Sequence, residues 1–201
     1  MTTSYPVHYG VERAARFTRL QLFVRLIAFV ALGVVGLSFG TVFVFAYLAL
    51  PVVAAVRLAA GHEEDRARIV GALQWFAAIS AWTGLTVESL PGRSPSETVR
   101  VEIEGTTRPT TASAMWRIVT GLPSAFVLAV LCCLGCFVWT WAALSILFTE
   151  RVGAGAHGYL VGLQRWSVRL LAYQASLVDE YPPFSFSDVP PSPLPLARVM
   201  S

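Results

Sequence analysis

Ten residues able to bind or pair crowd into one twenty-residue stretch, RWSVRLLAYQASLVDEYPPF (165–184). They are Arg165, Trp166, Arg169, Tyr173, Asp179, Glu180, Tyr181, Pro182, Pro183 and Phe184. A guanidinium recognises carboxylates, phosphates and carbonyl oxygens through a fork of donors. At about 100° per residue, a helix puts Arg165, Arg169, Tyr173 and Ser176 on one face, with Leu160, Leu163, Leu170 and Val178 opposite. Two unpaired arginines in mid-bilayer would cost roughly 2.5–3.5 kcal/mol each, so partners are expected. Asp179 and Glu180 are the local candidates, but ten residues of helix is about 15 Å. They reach Arg169 only if the chain turns back, which the prolines encourage by ending the helix. We read DEYPPF as a structural clasp whose acids and aromatics pack on the Arg/Trp face. Capture of an anionic lipid headgroup or of a partner protein are the alternatives.

No other cluster offers chemistry. Cys132, Cys133 and Cys136 form CCxxC inside an apolar run, and a structural zinc site needs four ligands. They read as small packing residues. His62-Glu63-Glu64-Asp65 reads as a charged turn, and His8, His62 and His157 lie far apart in polar segments and are expected to be solvated. No GxSxG, Walker or HExxH pattern occurs. We therefore expect no catalytic residues, no metal, no cofactor and no enzyme.

The surrounding composition is that of a membrane protein. Of 201 residues, 55% are hydrophobic and 13% charged, against roughly 25% charged in soluble domains. Mean hydropathy is +0.61. The net charge is +3, and all fifteen basic residues are arginines. They are spread along the chain rather than clustered as nucleic-acid binding requires, and suit anionic headgroups better. The apolar stretch that follows Arg13, Arg16, Arg19 and Arg25 far exceeds the 7–15 residues of a signal-peptide core, so no cleaved leader is read.

The chain reads as two copies of one unit. Aligning FVRLIAFVALGVVG (23–36) with MWRIVTGLPSAFVL (115–128) puts Arg25 on Arg117. Aligning GALQWFAAISAWTGLTVESLPG (71–92) with GLQRWSVRLLAYQASLVDEYPP (162–183) puts Trp75 on Trp166, Ala81 on Ala172, Trp82 on Tyr173, Glu88 on Asp179 and Pro91 on Pro182. The units are 5–92 and 97–186, followed by a proline-rich flexible tail, 187–201. Each opens with a period-2 strand pattern: Val7, Tyr9 and Val11 within 5–11, and Val99, Val101 and Ile103 within 98–105. An isolated strand leaves its backbone unsatisfied, so these two are expected to pair with each other.

Uncharged runs cover 26–56, 31 residues, and 118–149, 32 residues. A bilayer core takes about 20 helical residues. We expect one long helix per run, with Pro51 and Pro123 as kinks or starts. Gly33, Gly36 and Gly40 would permit close helix approach. Shorter segments, 69–87 and about 159–178, bring the count to four spans, or six if each long run is a hairpin. Trp75, Trp82, Trp116 and Trp166 fit either an interfacial belt or helix packing. Nine arginines fall on the side of the termini and six opposite, so the positive-inside rule puts both termini in the cytoplasm. The expected fold class is an all-α membrane protein, a tandem repeat of two helical units with short paired strands outside the membrane.

The stretch GYLVGLQRWSVRLLAYQASLVDEYPPFSF (158–186), after AALSILFTERV (142–152), resembles the bacterial membrane family catalogued as domain of unknown function 4389. Its hallmark is the arginine–tryptophan pair, a second arginine four residues after the first, an aromatic, then an acid and Tyr-Pro-Pro-Phe. Here these are Arg165, Trp166, Arg169, Tyr173, Asp179, Glu180 and Tyr181 to Phe184. The first half is looser: Gln74 and Ala78 replace the arginines, and it ends Glu88-Ser-Leu-Pro91. The resemblance implies a bacterial membrane location and supplies no activity. The expected role is a non-enzymatic accessory or scaffold subunit in the plasma (inner) membrane, multi-pass. It would bind membrane lipids and a membrane protein partner or a second copy, and no nucleic acid. A small transporter or channel for a lipid or anionic solute is the alternative.

Overall fold

A computed structural model describes residues 5–36, 38–104 and 109–186; the tail at 187–201 lies outside the described residues. Strand β1 (Val7–Gly10) is followed by helices α1 (Arg19–Val34), α2 (Phe39–Val53) and α3 (Glu63–Thr83), strand β2 (Arg100–Ile103), and helices α4 (Thr111–Thr149) and α5 (Ala154–Gln174). The molecule is mostly helical, with one two-stranded ribbon.

The second long run is a single helix, as expected. Thr110 accepts from the Ser113 amide and Ser113 reaches back to the Thr110 amide, closing a capping box. The 39 residues of α4 make about 58 Å of helix. Glu150 ends it in the left-handed conformation.

The first run departs from the expectation of one helix. It breaks between α1 and α2, where Gly36 turns left-handed at φ 76° and Ser38 caps α2 by accepting from the Thr41 amide at 3.2 Å. Glycine takes positive φ without a Cβ clash, and a serine cap competes with continued helix. Gly33, Gly36 and Gly40, read as contact points, have nothing within 4 Å of where a Cβ would stand. Pro51 stays inside α2, which runs into a π-helical turn, Ala54–Leu58.

The break does not make a hairpin. Phe29 of α1 stacks on Trp139 at 5.7 Å. Tyr47 of α2 donates to the Ile118 carbonyl at 2.7 Å, and Thr111 donates to the Ala55 carbonyl at 3.4 Å. The Phe17 amide meets the Glu150 carbonyl at 2.8 Å. Partner numbers fall steadily along α4 as those on α1–α2 rise. The broken helix and α4 therefore lie antiparallel along one line, which rules out the six-span reading and the parallel arrangement of the two halves that four spans would need.

The two shorter helices form a second antiparallel pair. Arg66 donates to the Leu177 carbonyl at 3.0 Å, Gln164 to that of Ser80 at 3.0 Å, and the His157 ring meets the Thr86 carbonyl at 3.1 Å. His157, expected in a solvated segment, is buried. So is almost all of α5 from Leu160 to Gln174. Helix α5, expected to carry an arginine face and an apolar face, is covered on both.

β1 and β2 pair with each other, as expected, and the structure makes the pair antiparallel, with Val7 opposite Ile103 and Tyr9 opposite Val101. Val7, Tyr9 and Val101 point into the core with Ala77, Ala81, Trp166 and Leu170. The ribbon runs along the short helices. Tyr5 meets Glu180, Val7 meets Arg169, Tyr9 meets Arg165, and Arg13 meets the Val152 carbonyl.

Candidate functional site: an arginine clasp

Helix α5 aims Arg165 and Arg169 at backbone. Arg165 Nε and Nη2 donate to the Tyr9 carbonyl at 3.2 and 3.1 Å, and its Nη1 donates to the Phe186 carbonyl. Arg169 Nε reaches the Val7 carbonyl at 3.4 Å, and its guanidinium lies 5.4 Å from the Tyr5 ring centre. The two arginines thus bind β1 and the exit segment onto α5. Guanidinium–carbonyl bonds satisfy both partners in a buried place, where an unmade bond is costly.

The aromatics pack against α4 and the exit segment. Trp166 is 3% exposed, donates to Ser124 Oγ of α4 at 2.8 Å, and meets Phe184 and Phe186 edge-on at 5.5 and 5.9 Å. Tyr173 shares a hydrogen bond with Thr120 at 2.9 Å and packs edge-on against Tyr181 at 5.6 Å. Pro182 is buried and Pro183 half-buried. The exit doubles back over α5 until the Phe186 ring lies above Gly162, where a Cβ would meet ring carbon at 2.6 Å.

The acids take another route than expected. Asp179 bonds to Arg117, near the start of α4. Arg117 also donates to the Tyr173 carbonyl at 3.0 Å and to that of Val178, and its guanidinium lies 4.6 Å from the Tyr173 ring centre. Glu180 contributes its carbonyl, which accepts from Tyr5 at 3.2 Å. Arg117 is the residue that sequence reasoning left without a role. The signal was there: Arg25 and Arg117 coincide in the alignment.

Arg25 makes the matching contacts 91 or 92 residues earlier. It donates to the Val87 and Glu88 carbonyls at 2.6 and 2.5 Å and lies 3.8 Å from the Glu88 carboxylate and 5.4 Å from the Trp82 ring centre. Leu85 and Ser176 take left-handed turns at φ 59° and 55°. Gln74 donates to the Val101 carbonyl at 3.3 Å, where Arg165 meets Tyr9.

Burial raises the pKa of the Tyr5 and Tyr9 phenols above the ordinary value, more than the nearby Arg169 and Arg165 lower it. Tyr9 donates to Gln164 at 2.8 Å, so both enter the site as neutral donors.

The remaining candidates stay apart. Cys133 and Cys136 are exposed on α4, and all three cysteines are free. Among the described residues, no group of His, Cys, Asp or Glu could hold a metal. Asp65, expected in a charged turn, lies in the first turn of α3 and pairs with Arg57 and Arg68, each at 3.0 Å. Trp82 is buried with Trp166, whereas Trp75 and Trp116 are exposed.

No curated protein and no solved structure matches the chain. A family model does. The segment that holds α4, α5 and the clasp, residues 111–185, matches the family described as Domain of unknown function (DUF4389).

Proposed function

We propose that this is a non-enzymatic accessory or scaffold protein of the bacterial plasma membrane, duplicated from one unit, that binds membrane lipid or a membrane protein complex. One observation carries the reading. The long helices α1–α2 and α4 turn large apolar side chains outward along their whole length, while the polar motif is turned inward onto backbone carbonyls. Exposed apolar patches of this extent mark membrane or protein contact. Two stretches, Phe39–Leu58 and Thr111–Thr149, are long and apolar enough to cross a bilayer.

Duplication is supported by the matching contacts of Arg25 and Arg117 and by the ribbon, whose register centres on the Tyr9–Val101 pair, 92 positions apart. The Tyr5–Glu180 contact brings together two segments near the ends of the described chain, which supports termini on one side, and a cytoplasmic side is part of the proposal. The alternative, a small transporter or channel for a lipid or anionic solute, would need charges along a path. Residues 118–149 carry none.

Extraction of the tagged protein within its native lipid patch, followed by mass spectrometry, tests the reading. A stoichiometric protein partner or an enriched anionic lipid supports it. Recovery in the soluble fraction, with neither, rejects it.

A further inference from the structure

We infer that the protein lies in the plane of one leaflet, with α1–α2 and α4 sunk lengthwise into hydrocarbon and the ribbon in water. The inference rests on the membrane reading above and names its partner as a lipid surface. It replaces the expected multi-pass crossing.

The ribbon decides the orientation. Residues 5–13 follow α5 from its exit at Glu180 back to its start at Val152. The strand itself, Val7–Gly10, lies beside Arg165 and Arg169, near the middle of the 21-residue helix. Any bilayer that α5 crossed would therefore also contain the ribbon. The outer side of that ribbon carries exposed Arg100, Glu102 and Glu104. Its edge carbonyls at Val7, Tyr9 and Val101 are taken by Arg169, Arg165 and Gln74, but charged side chains facing hydrocarbon are costly and rare. The short helices cannot cross, and the long helices pack alongside them.

Helix length points the same way. Trp116, Phe126, Phe137 and Phe148 are 64%, 72%, 75% and 75% exposed. From first to last they span about 48 Å of helix, against a hydrocarbon core of about 30 Å. Burying them all in a crossing helix would need a tilt of about 50°, beyond the usual range of up to 40°. Laid flat, the length is no obstacle.

The rims complete the picture. Arg16 and Arg19 flank Glu150 at one end of the long pair, with side chains 75% and 55% exposed. Arg57 and Arg68 flank Asp65 at the other, 51% and 75% exposed. A flat molecule presents both rims to headgroups of the same leaflet, where arginines favour anionic lipid.

Oriented circular dichroism on the unmodified chain, in aligned bilayers of phosphatidylethanolamine and phosphatidylglycerol, reads the answer directly because all the helices are nearly parallel. The in-plane signature is expected, and the perpendicular signature overturns the inference. A second readout uses Ala112→Cys and Thr149→Cys, at opposite ends of α4, in a chain with Cys132, Cys133 and Cys136 changed to serine. An impermeant maleimide should label both sites in inverted membrane vesicles and neither in right-side-out ones. One site labelled from each side means crossing and overturns the inference while leaving the membrane reading intact. Failure to float with vesicles overturns both.

Discussion

Trp166 is 3% exposed and Trp75, its counterpart 91 residues earlier, 38%. Over Trp166 the exit folds back and drops Phe186 onto Gly162. Over Trp75 nothing comparable arrives: Pro95 stands where Phe186 would be, and a Cβ on Gly71 would meet nothing within 4 Å. The same scaffold thus carries a closed clasp in the second unit and an open one in the first. The helices and the buried arginine are common to both halves, whereas the aromatic exit closes over the helix only in the second.

The largest test of this comparison is the arginine common to both units. Arg117→Ala leaves the Val178 carbonyl and the Asp179 carboxylate without this donor, while the Tyr173 carbonyl keeps the Ser176 amide, and an orphaned buried acceptor costs about 1–3 kcal/mol. Arg25→Ala should cost less, because Arg25 Nε is already without a partner among the described residues. Denaturant unfolding in detergent micelles measures both. An Arg25→Ala loss equal to or above that of Arg117→Ala would break the idea that the second unit is the tighter one.

Next come the paired glycines, where the sign should differ. Gly162→Ala drives a Cβ into the Phe186 ring, an overpacking cost of about 1–3 kcal/mol. Gly71→Ala meets open space inside α3 and should stabilise by about 0.5–1 kcal/mol through helix propensity. Thermal shifts of the same direction for both would refute the open-versus-closed distinction.

The two left-handed turns also separate the units. Ser176→Gly removes a positive-φ strain and a buried hydroxyl with no partner among the described residues, and should stabilise by about 1 kcal/mol. Leu85→Gly relieves the same strain but deletes a fully buried side chain that belongs to one apolar cluster with Phe17, Ile146 and Leu160, and should destabilise by about 2–4 kcal/mol. Here the cost falls on the first unit.

The smallest effect is at Tyr9. Its folded pKa is raised by burial, so its neutral phenol contributes fully below the unfolded value of about 10. That contribution is lost as pH rises further. Stability should decline above about pH 10, and Tyr9→Phe should reduce that slope while costing about 1 kcal/mol at neutral pH. An unchanged slope would remove Tyr9 from the titration.

Much of the fold was legible because its signals are local. Alternation in 5–11 and 98–105 announced strands, and their need for a partner announced the pairing. The aligned Arg25 and Arg117 pointed to two buried guanidinium sites that the structure holds. The break at Gly36 and Ser38 was also written locally, as a glycine and a cap. The unbroken hydropathy around them masked it, since apolarity reports the solvent and not the backbone path. The partners of Arg165 and Arg169 were not legible. They are carbonyls of Tyr9 and Val7, and every residue offers a carbonyl, so residue type carries no trace of them.

By itself, then, the order of amino acids determined a mostly helical chain with long apolar helices and a strand pair, because burial, periodicity and chain stiffness act over a few residues. Only the tertiary structure decided that the long helices run antiparallel, that Asp179 goes to Arg117, and that α5 is covered on both faces. Those outcomes depend on which distant groups arrive together. A buried guanidinium takes whatever acceptors packing brings within its reach, and a helix learns its second neighbour only when the chain has closed around it.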